Sequence, residues 1–496
     1  MTSPVAENAS TGIAGLDDIL SGGLPRDRVY LVKGQPGTGK TTLALQFLLA
    51  GAERGEEGLY ITLSETPVEL HAVAASHGWS LAKLSLFELK SDQTSVPPEE
   101  PYTMYHPSEV ELSEAMQTLL AEVARVKPKL LVIDSLSEFR LLAEQPLRYR
   151  RQILALKHHF AGTACTVLLL DDHSADHLES LAHGVILLER HSPTYGGARR
   201  RLEVGKLRGV KFRDGYHDYT IEHGGLQVYP RLVAAEHHPE YARGALASGV
   251  GALDELLGGG LDRGTATLLI GPAGAGKSSL AVQYLVAAAK AGEHAVVYTF
   301  EESVDTLLGR SAALGMALKP HIDAGLIAVC PLDPAETSPG QFAHNVRVAV
   351  EQKKARVVVI DSLTGYMNAL PDERSLLNQM HELLMFLGQN GVVTILVAAQ
   401  HGMVGTPVVS PVDVSYLADA VVMLRYFEAA GRVRNAISVM KKRSGVHERT
   451  IREYTLGKDG ITIGEPLKSF HGVLTGIPTY TGPSDPLMGG STGLLD

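Results

Sequence analysis

One eight-residue pattern occurs twice in this chain, the second copy 237 positions after the first. Residues 34–41 read Gly-Gln-Pro-Gly-Thr-Gly-Lys-Thr, and residues 271–278 read Gly-Pro-Ala-Gly-Ala-Gly-Lys-Ser. Upstream, residues 11–20 (Thr-Gly-Ile-Ala-Gly-Leu-Asp-Asp-Ile-Leu) echo residues 248–257 (Ser-Gly-Val-Gly-Ala-Leu-Asp-Glu-Leu-Leu) at the same offset. In the spacing GxxxxGK[ST], glycines let backbone N–H groups curl around phosphate oxygens, because no Cβ blocks the turn. The lysine carries a charge to the outer phosphates, and the Ser/Thr hydroxyl suits Mg²⁺. Such a loop works between a buried strand and a helix whose N-terminus faces the anion. Residues 29–32 and 267–270 supply the apolar strands, and the segments after Thr41 and Ser278 supply the helices. The chain is therefore expected to be α/β, with a mainly parallel central sheet flanked by helices, built twice.

At 496 residues the chain exceeds what one core supports. The duplication divides it into a first domain over 1–229, a polar linker over 230–247, a second domain over 248–465 and a tail over 466–496. Beyond Tyr480 the tail is rich in Gly, Pro, Ser and Thr and has no helical period, so disorder is expected there. A proline-rich stretch from Ser91 to Pro107 reads as an exposed loop before a helix beginning near Ser108.

Nucleotide contacts in the first loop are expected from Gly37, Thr38, Gly39, Lys40, Thr41 and Thr42, and in the second from Gly274, Ala275, Gly276, Lys277, Ser278 and Ser279. Lys40 and Lys277 also belong to the catalytic set, as stabilisers of phosphate charge. Each copy then has an apolar strand ending in aspartate, at Asp134 and Asp361. Those aspartates fall about 100 and about 90 residues after the first glycine of their loops. A carboxylate at that end of a parallel strand lies beside the phosphate loop. Asp134 with Thr41, and Asp361 with Ser278, are thus the expected Mg²⁺ ligands.

The copies differ at one decisive position. Residues 296–303 read Val-Val-Tyr-Thr-Phe-Glu-Glu-Ser, whereas residues 59–66 read Leu-Tyr-Ile-Thr-Leu-Ser-Glu-Thr, so Ser64 stands where Glu301 stands. A carboxylate there can orient and deprotonate an attacking hydroxyl, and a serine cannot near neutral pH. Glu301, with Glu302 beside it, marks a competent second site. Glu65 is the remaining acid of the first, and strand alternation turns its side chain to the opposite face. Late in each copy comes a basic strand, at Lys206-Leu207-Arg208 and at Lys441-Lys442-Arg443. Its repetition points to charge supplied to a neighbouring subunit's nucleotide.

These residues together resemble the KaiC family of tandem RecA-like P-loop ATPases, from about Thr11 to Thr479. The resemblance rests on both phosphate loops, the Thr-Phe-Glu-Glu-Ser strand, the two Ile-Asp-Ser strands, the Lys206-Leu-Arg208-Gly motif and residues 470–479. It implies a homohexamer of two stacked rings with ATP and Mg²⁺ at every subunit interface. One subunit would supply the loop, Glu301 and Asp361. Its neighbour would supply Lys441, Lys442 and Arg443, with His447 matching a nucleotide-contacting histidine. In the first ring the matching contacts are Lys206, Leu207, Arg208 and Ser76, while Val210 and Phe212 replace polar residues of the family pattern. The family's second ring phosphorylates itself on an adjacent Ser-Thr pair. Ser415 matches the first acceptor, and Tyr416 replaces the threonine. The implied function is a clock-type or signalling ATPase with serine autophosphorylation in the second domain and a signalling protein as partner.

Two other classes compete: a RecA- or DnaB-like nucleic-acid translocase, and a nucleotide-gated scaffold with little catalysis. A net charge of −10 and a single Trp argue against nucleic acid, which asks for a basic channel and stacking rings. No apolar run of membrane-spanning length and no N-terminal signal pattern is present, so a cytoplasmic protein without membrane contact is expected. Cys165 and Cys330 sit in apolar surroundings and read as buried free thiols.

Overall fold

The computed structural model describes residues 7–89, 107–143, 145–172, 176–193, 195–237, 239–368, 376–400, 416–429, 431–475 and 478–482. The chain separates into two compact units, Met1–Arg231 and Leu232–Asp496. The main strands of the first are β1 (Val29–Gly34), β2 (Gly58–Thr62), β3 (Ser85–Glu88), β4 (Leu130–Asp134), β5 (Thr166–Asp171), β6 (Gly184–His191), β7 (Arg199–Leu207), β8 (Tyr216–Glu222) and β9 (Gly225–Tyr229). Those of the second are β10 (Ala266–Gly271), β11 (His294–Thr299), β12 (Ile327–Pro331), β13 (Ala355–Asp361), β14 (Val393–Ala399), β15 (Ala420–Ala429), β16 (Arg432–Lys442), β17 (Arg452–Gly457) and β18 (Gly460–Pro466).

Each set forms one nine-stranded sheet. The spatial order is β3-β2-β4-β5-β1-β6-β7-β8-β9 in the first unit and β12-β11-β13-β14-β10-β15-β16-β17-β18 in the second, the same order strand for strand. Pairing is parallel from one edge through β6 or β15 and antiparallel beyond. The architecture is the expected one, two tandem RecA-like α/β units.

Strands buried on both faces explain the continuous apolar runs. In β1, Tyr30 and Val32 join one core cluster while Val29 and Leu31 join the other. In β13, Val357 and Val359 pack on one side of the sheet, and Val358 and Ile360 on the other. Helices Lys40–Glu53 and Lys277–Lys290 leave the phosphate loops directly, each capped by a glycine in the left-handed region, Gly39 at φ 93° and Gly276 at φ 86°. The left-handed backbone at Gly276 would strain any other residue, and a Cβ there would also come within 2.7 Å of the Leu456 side chain.

Two expectations change at the margins. The segment after Arg231 is part of the second unit: Ala234 is buried, and its N–H donates to Glu382 Oε2 at 3.1 Å. Ala245–Leu246 pairs antiparallel with Leu261–Asp262. Past residue 465 the chain continues to pack, with Leu467, Phe470 and Val473 against Phe427. The helix expected near Ser108 spans Pro107–Val126. The loop expected over 91–107 lies almost wholly outside the described residues. Cys165 is buried and Cys330 half-buried, and both are free thiols.

Candidate functional site

In the second unit the expected residues meet at the carboxyl ends of the parallel strands, where open α/β sheets bind ligands. Gly274, Gly276, Lys277, Ser278, Ser279, Glu301, Glu302 and Asp361 line one cavity of about 710 Å³. Ala275 is fully buried beneath the loop. Lys277 Nζ donates to the Gly271 and Pro272 carbonyls at 2.9 and 2.7 Å, which holds the ammonium in the cradle. Burial pushes this lysine below its ordinary range, while the Asp361 and Glu301 carboxylates pull it back up. Burial likewise raises Asp361, opposed by a hydrogen bond from the Ser278 hydroxyl. A hydroxyl and a carboxylate joined in this way are the hard oxygen donors that suit Mg²⁺.

The two adjacent glutamates are held differently. The strand before them ends at Thr299, so both lie in the bend beyond it and both face the cavity. Ser362 Oγ donates to Glu301 Oε2 at 3.2 Å, and Glu301 remains exposed. Glu302 is clamped by Arg310, whose Nε and Nη2 reach its two oxygens at 3.0 and 2.8 Å. A third guanidinium nitrogen of Arg310 donates to Ser279 Oγ at 2.8 Å. Glu302 is thereby tied into a fork, whereas Glu301 keeps an exposed carboxylate on the cavity.

The first unit has the same framework with other contacts. Lys40 Nζ donates to the Gly34 and Gln35 carbonyls at 2.7 and 3.3 Å, and also pairs with Asp172 at 2.6 Å. Thr41 Oγ1 donates to Asp134 Oδ2 at 3.1 Å, and the same oxygen accepts from the Tyr60 hydroxyl. Burial raises Asp134, while Tyr60, Thr41 and Lys40 counter it. Thr38 and Thr42 are buried, and Gly37 takes φ 80°. Glu65 does not follow the strand alternation, because the strand ends at Thr62 and the acid sits in the bend beyond. There Thr62 Oγ1 accepts from the Glu65 N–H at 2.9 Å. Burial and the Asp134 carboxylate raise Glu65 above its usual range, so the acid lies toward Asp134 rather than away from it. Ser76 ends the helix Pro67–Ser76, exposed, its hydroxyl donating to the Val73 carbonyl at 2.7 Å.

The basic strands lie far from their own loops. In β7, Leu207 pairs with Gly184, which pairs with Tyr30, four residues before Gly34 along β1. That is about 13 Å toward the opposite end of the sheet. Lys441 pairs with Val421, and Val421 pairs with Leu268, again at the far end from Gly271. Lys206 Nζ donates to the Glu179 carbonyl at 2.6 Å, Arg208 is exposed, and the Leu207 side chain is in the core. Lys442 turns inward, with its ammonium on the Leu257 carbonyl at 2.6 Å and on Asp262 at 3.0 Å. Lys441 Nζ donates to the Ala418 carbonyl at 2.8 Å, and Arg443 stays exposed beside Asp419 at 3.4 Å. His447 is half-buried two residues after Gly445. Ser415 lies outside the described residues, and the neighbouring Tyr416 is 53% exposed.

Sequence reasoning missed several contacts. Tyr219 donates to the Thr38 carbonyl at 2.6 Å, and Tyr454, 235 positions later, donates to the Ala275 carbonyl. These tyrosines brace both phosphate loops, and aligning the two copies would have exposed them. Tyr60, Asp172 and Arg310 align instead with Val297, Ala399 and Val73, so the duplication hides them.

Comparison with known proteins follows the same division. The family described as "ATPase: KaiC" matches over residues 9–233 and again over 246–468. The circadian clock protein KaiC3 of Synechocystis sp. is 26% identical over 492 residues, covering 97% of this chain and 96% of its own. The circadian clock oscillator protein KaiC of Picosynechococcus sp. is 27% identical over 485 residues, covering 95% and 92%. That of Acaryochloris marina is 26% identical over 485 residues, covering 95% and 91%.

Proposed function

Since the chain belongs to the KaiC family of ATPases, we propose that it is a ring-forming clock-type or signalling ATPase in which the second unit performs the chemistry and the first retains nucleotide with little turnover. The observation that carries this reading is the unequal treatment of Glu301 and Glu302. The Arg310 fork removes Glu302 from service, and Glu301, oriented by Ser362, is left facing the cavity that also contains Lys277, Ser278 and Asp361.

In this mechanism the backbone N–H groups of residues 274–278 cradle the phosphates, at the start of the helix Lys277–Lys290. Lys277, positioned by two carbonyls, contributes its charge to the outer phosphates as negative charge spreads over them. Mg²⁺, when bound by the oxygens of Ser278 and Asp361, supplies further charge at the same phosphates. Glu301 takes the proton of the attacking oxygen, from water in hydrolysis or from a serine hydroxyl in autophosphorylation. Ser415 is the acceptor that the resemblance implies. Lys441 and Arg443 stand at the wrong end of the sheet to serve their own loop, which supports delivery of their charge to the next subunit of a homohexamer. A partner that reads the nucleotide or phosphorylation state would complete the signalling role. Among the described residues no helix is long and apolar enough to cross a membrane.

Incubation of the purified chain with γ-labelled Mg-ATP tests the reading. Free phosphate together with label on Ser415 is the expected result. Phosphate release without protein-bound label would remove the autokinase and leave the ATPase, and neither product would overturn both.

A further inference from the structure

An ammonium has three N–H donors. In the first unit all three of Lys40 are engaged: the Gly34 carbonyl at 2.7 Å, the Gln35 carbonyl at 3.3 Å and Asp172 Oδ1 at 2.6 Å. The lysine side chain is only 8% exposed, so the pair sits inside the phosphate site rather than on its rim. Asp172 follows directly on β5, the strand next to the phosphate-loop strand β1. Its segment is fixed from below, since Arg140 Nη2 reaches both oxygens of Asp171 at 2.7 Å. Ser137 Oγ adds bonds to Asp171 and Asp172 at 3.3 and 3.5 Å.

The second unit lacks this arrangement. Register identifies the counterpart: Lys33 pairs with Asp171 as Ile270 pairs with Ala398, so Asp172 corresponds to Ala399. Among the described residues no carboxylate forms an ion pair with Lys277, whose hydrogen bonds run to backbone carbonyls. The charge balance differs as well. Glu65, Asp134 and Asp172 surround Lys40, whereas Glu301, Glu302 and Asp361 share Lys277 with Arg310.

We propose that Asp172 makes the first unit selective for a nucleoside diphosphate over a triphosphate, by placing on Lys40 a carboxylate that a γ-phosphate must displace. The α- and β-phosphates are met by loop N–H groups and the helix N-terminus, and Lys40 can reach the β-phosphate by giving up its 3.3 Å bond to the Gln35 carbonyl while it keeps Asp172. A γ-phosphate must instead displace a carboxylate from Lys40 and then lie against it, two like charges in a partly buried site. The inference rests on the nucleotide-site reading of this unit and adds which nucleotide it retains. With Ser64 at the position of Glu301, such a unit reports the ADP level instead of consuming ATP.

The test uses the full chain carrying Lys277→Ala, so that the first site alone is read. Calorimetric titration with Mg-ADP and with a non-hydrolysable Mg-ATP analogue should give ADP the tighter binding by about tenfold or more. Asp172→Asn should bring the two affinities within about threefold. Conversely, Ala399→Asp in a Lys40→Ala chain should create an ADP preference at the second site, which keeps the question decidable if Asp172→Asn fails to fold. Equal affinities in the parent chain, or a preference that Asp172→Asn leaves unchanged, would overturn the selectivity while leaving the nucleotide site standing. Binding of neither nucleotide would remove the site itself, and the selectivity with it.

Discussion

The phosphate loops of the two units are built alike and equipped differently. Both cradle a lysine on two backbone carbonyls, cap the following helix with a left-handed glycine, and brace the loop with a tyrosine from a later strand. What differs is the set of side chains reaching in. The second unit brings Glu301 on Ser362, Glu302 locked by Arg310, and Asp361 on Ser278. The first brings Asp172 onto the lysine, Tyr60 onto the aspartate, Glu65 toward that same aspartate, and Ser64 to the position of Glu301. Binding phosphate is thus a property of the backbone, which a duplication copies intact. Chemistry is a property of a few side chains, which can diverge without disturbing the fold.

The largest blow to this contrast should come from Glu301→Gln. Phosphate release should fall a hundredfold or more with nucleotide binding retained, as expected when a general base is removed. Full activity in that variant would erase the difference between the units. Charge delivered in trans makes a second test. Arg443→Ala and Glu301→Gln chains should each be inactive alone, and mixing them at equal amounts should restore about a quarter of native turnover, the share of interfaces with both parts intact. No recovery would place Arg443 outside the neighbour's site.

Arg310→Ala sharpens the role of the fork. Freed from Arg310, Glu302 competes for the same protons, and kcat should drop about tenfold with KM little changed. Arg310→Lys should not rescue it, because an ammonium cannot make the two-oxygen contact. The smallest effect concerns stability. Burial holds Asp361 above the ordinary carboxylate range in the folded chain. A raised folded-state value means the charged form weakens the fold above that value, and the cost vanishes as pH falls below the unfolded one. Asp361→Asn should therefore raise the melting temperature at pH 8 by about 2 °C and have no such effect in acid, while abolishing turnover. A lower melting temperature at pH 8 would show that the carboxylate stabilises the empty site.

Much of this could be read before any coordinates. The two loops, the apolar runs that became β1, β4, β10 and β13, and the aspartates ending two of them are local patterns. Their spacing alone places them at the carboxyl ends of parallel strands. The substitution of Ser64 for a glutamate was equally legible, because the duplication supplies its own reference. Glu65 was misdirected for a local reason: alternation applies to extended backbone, and the strand stops three residues earlier, at Thr62. Lys442, one of three basic residues in a row, was indistinguishable from its neighbours until Leu257, Gly260 and Asp262 were seen to take its ammonium inward.

The sequence by itself determined that one phosphate-loop unit occurs twice, and that Ser64 stands in the first copy where Glu301 stands in the second. Only the tertiary structure decided what each lysine and each acid touches. Lys40 and Asp172 are 132 positions apart, and Tyr60 and Asp134 are 74. They meet because the strand order seats β5 against β1 and β4 against β2. Pattern periodicity carries information over a turn or a strand, whereas a contact across a sheet depends on which strands the fold makes neighbours.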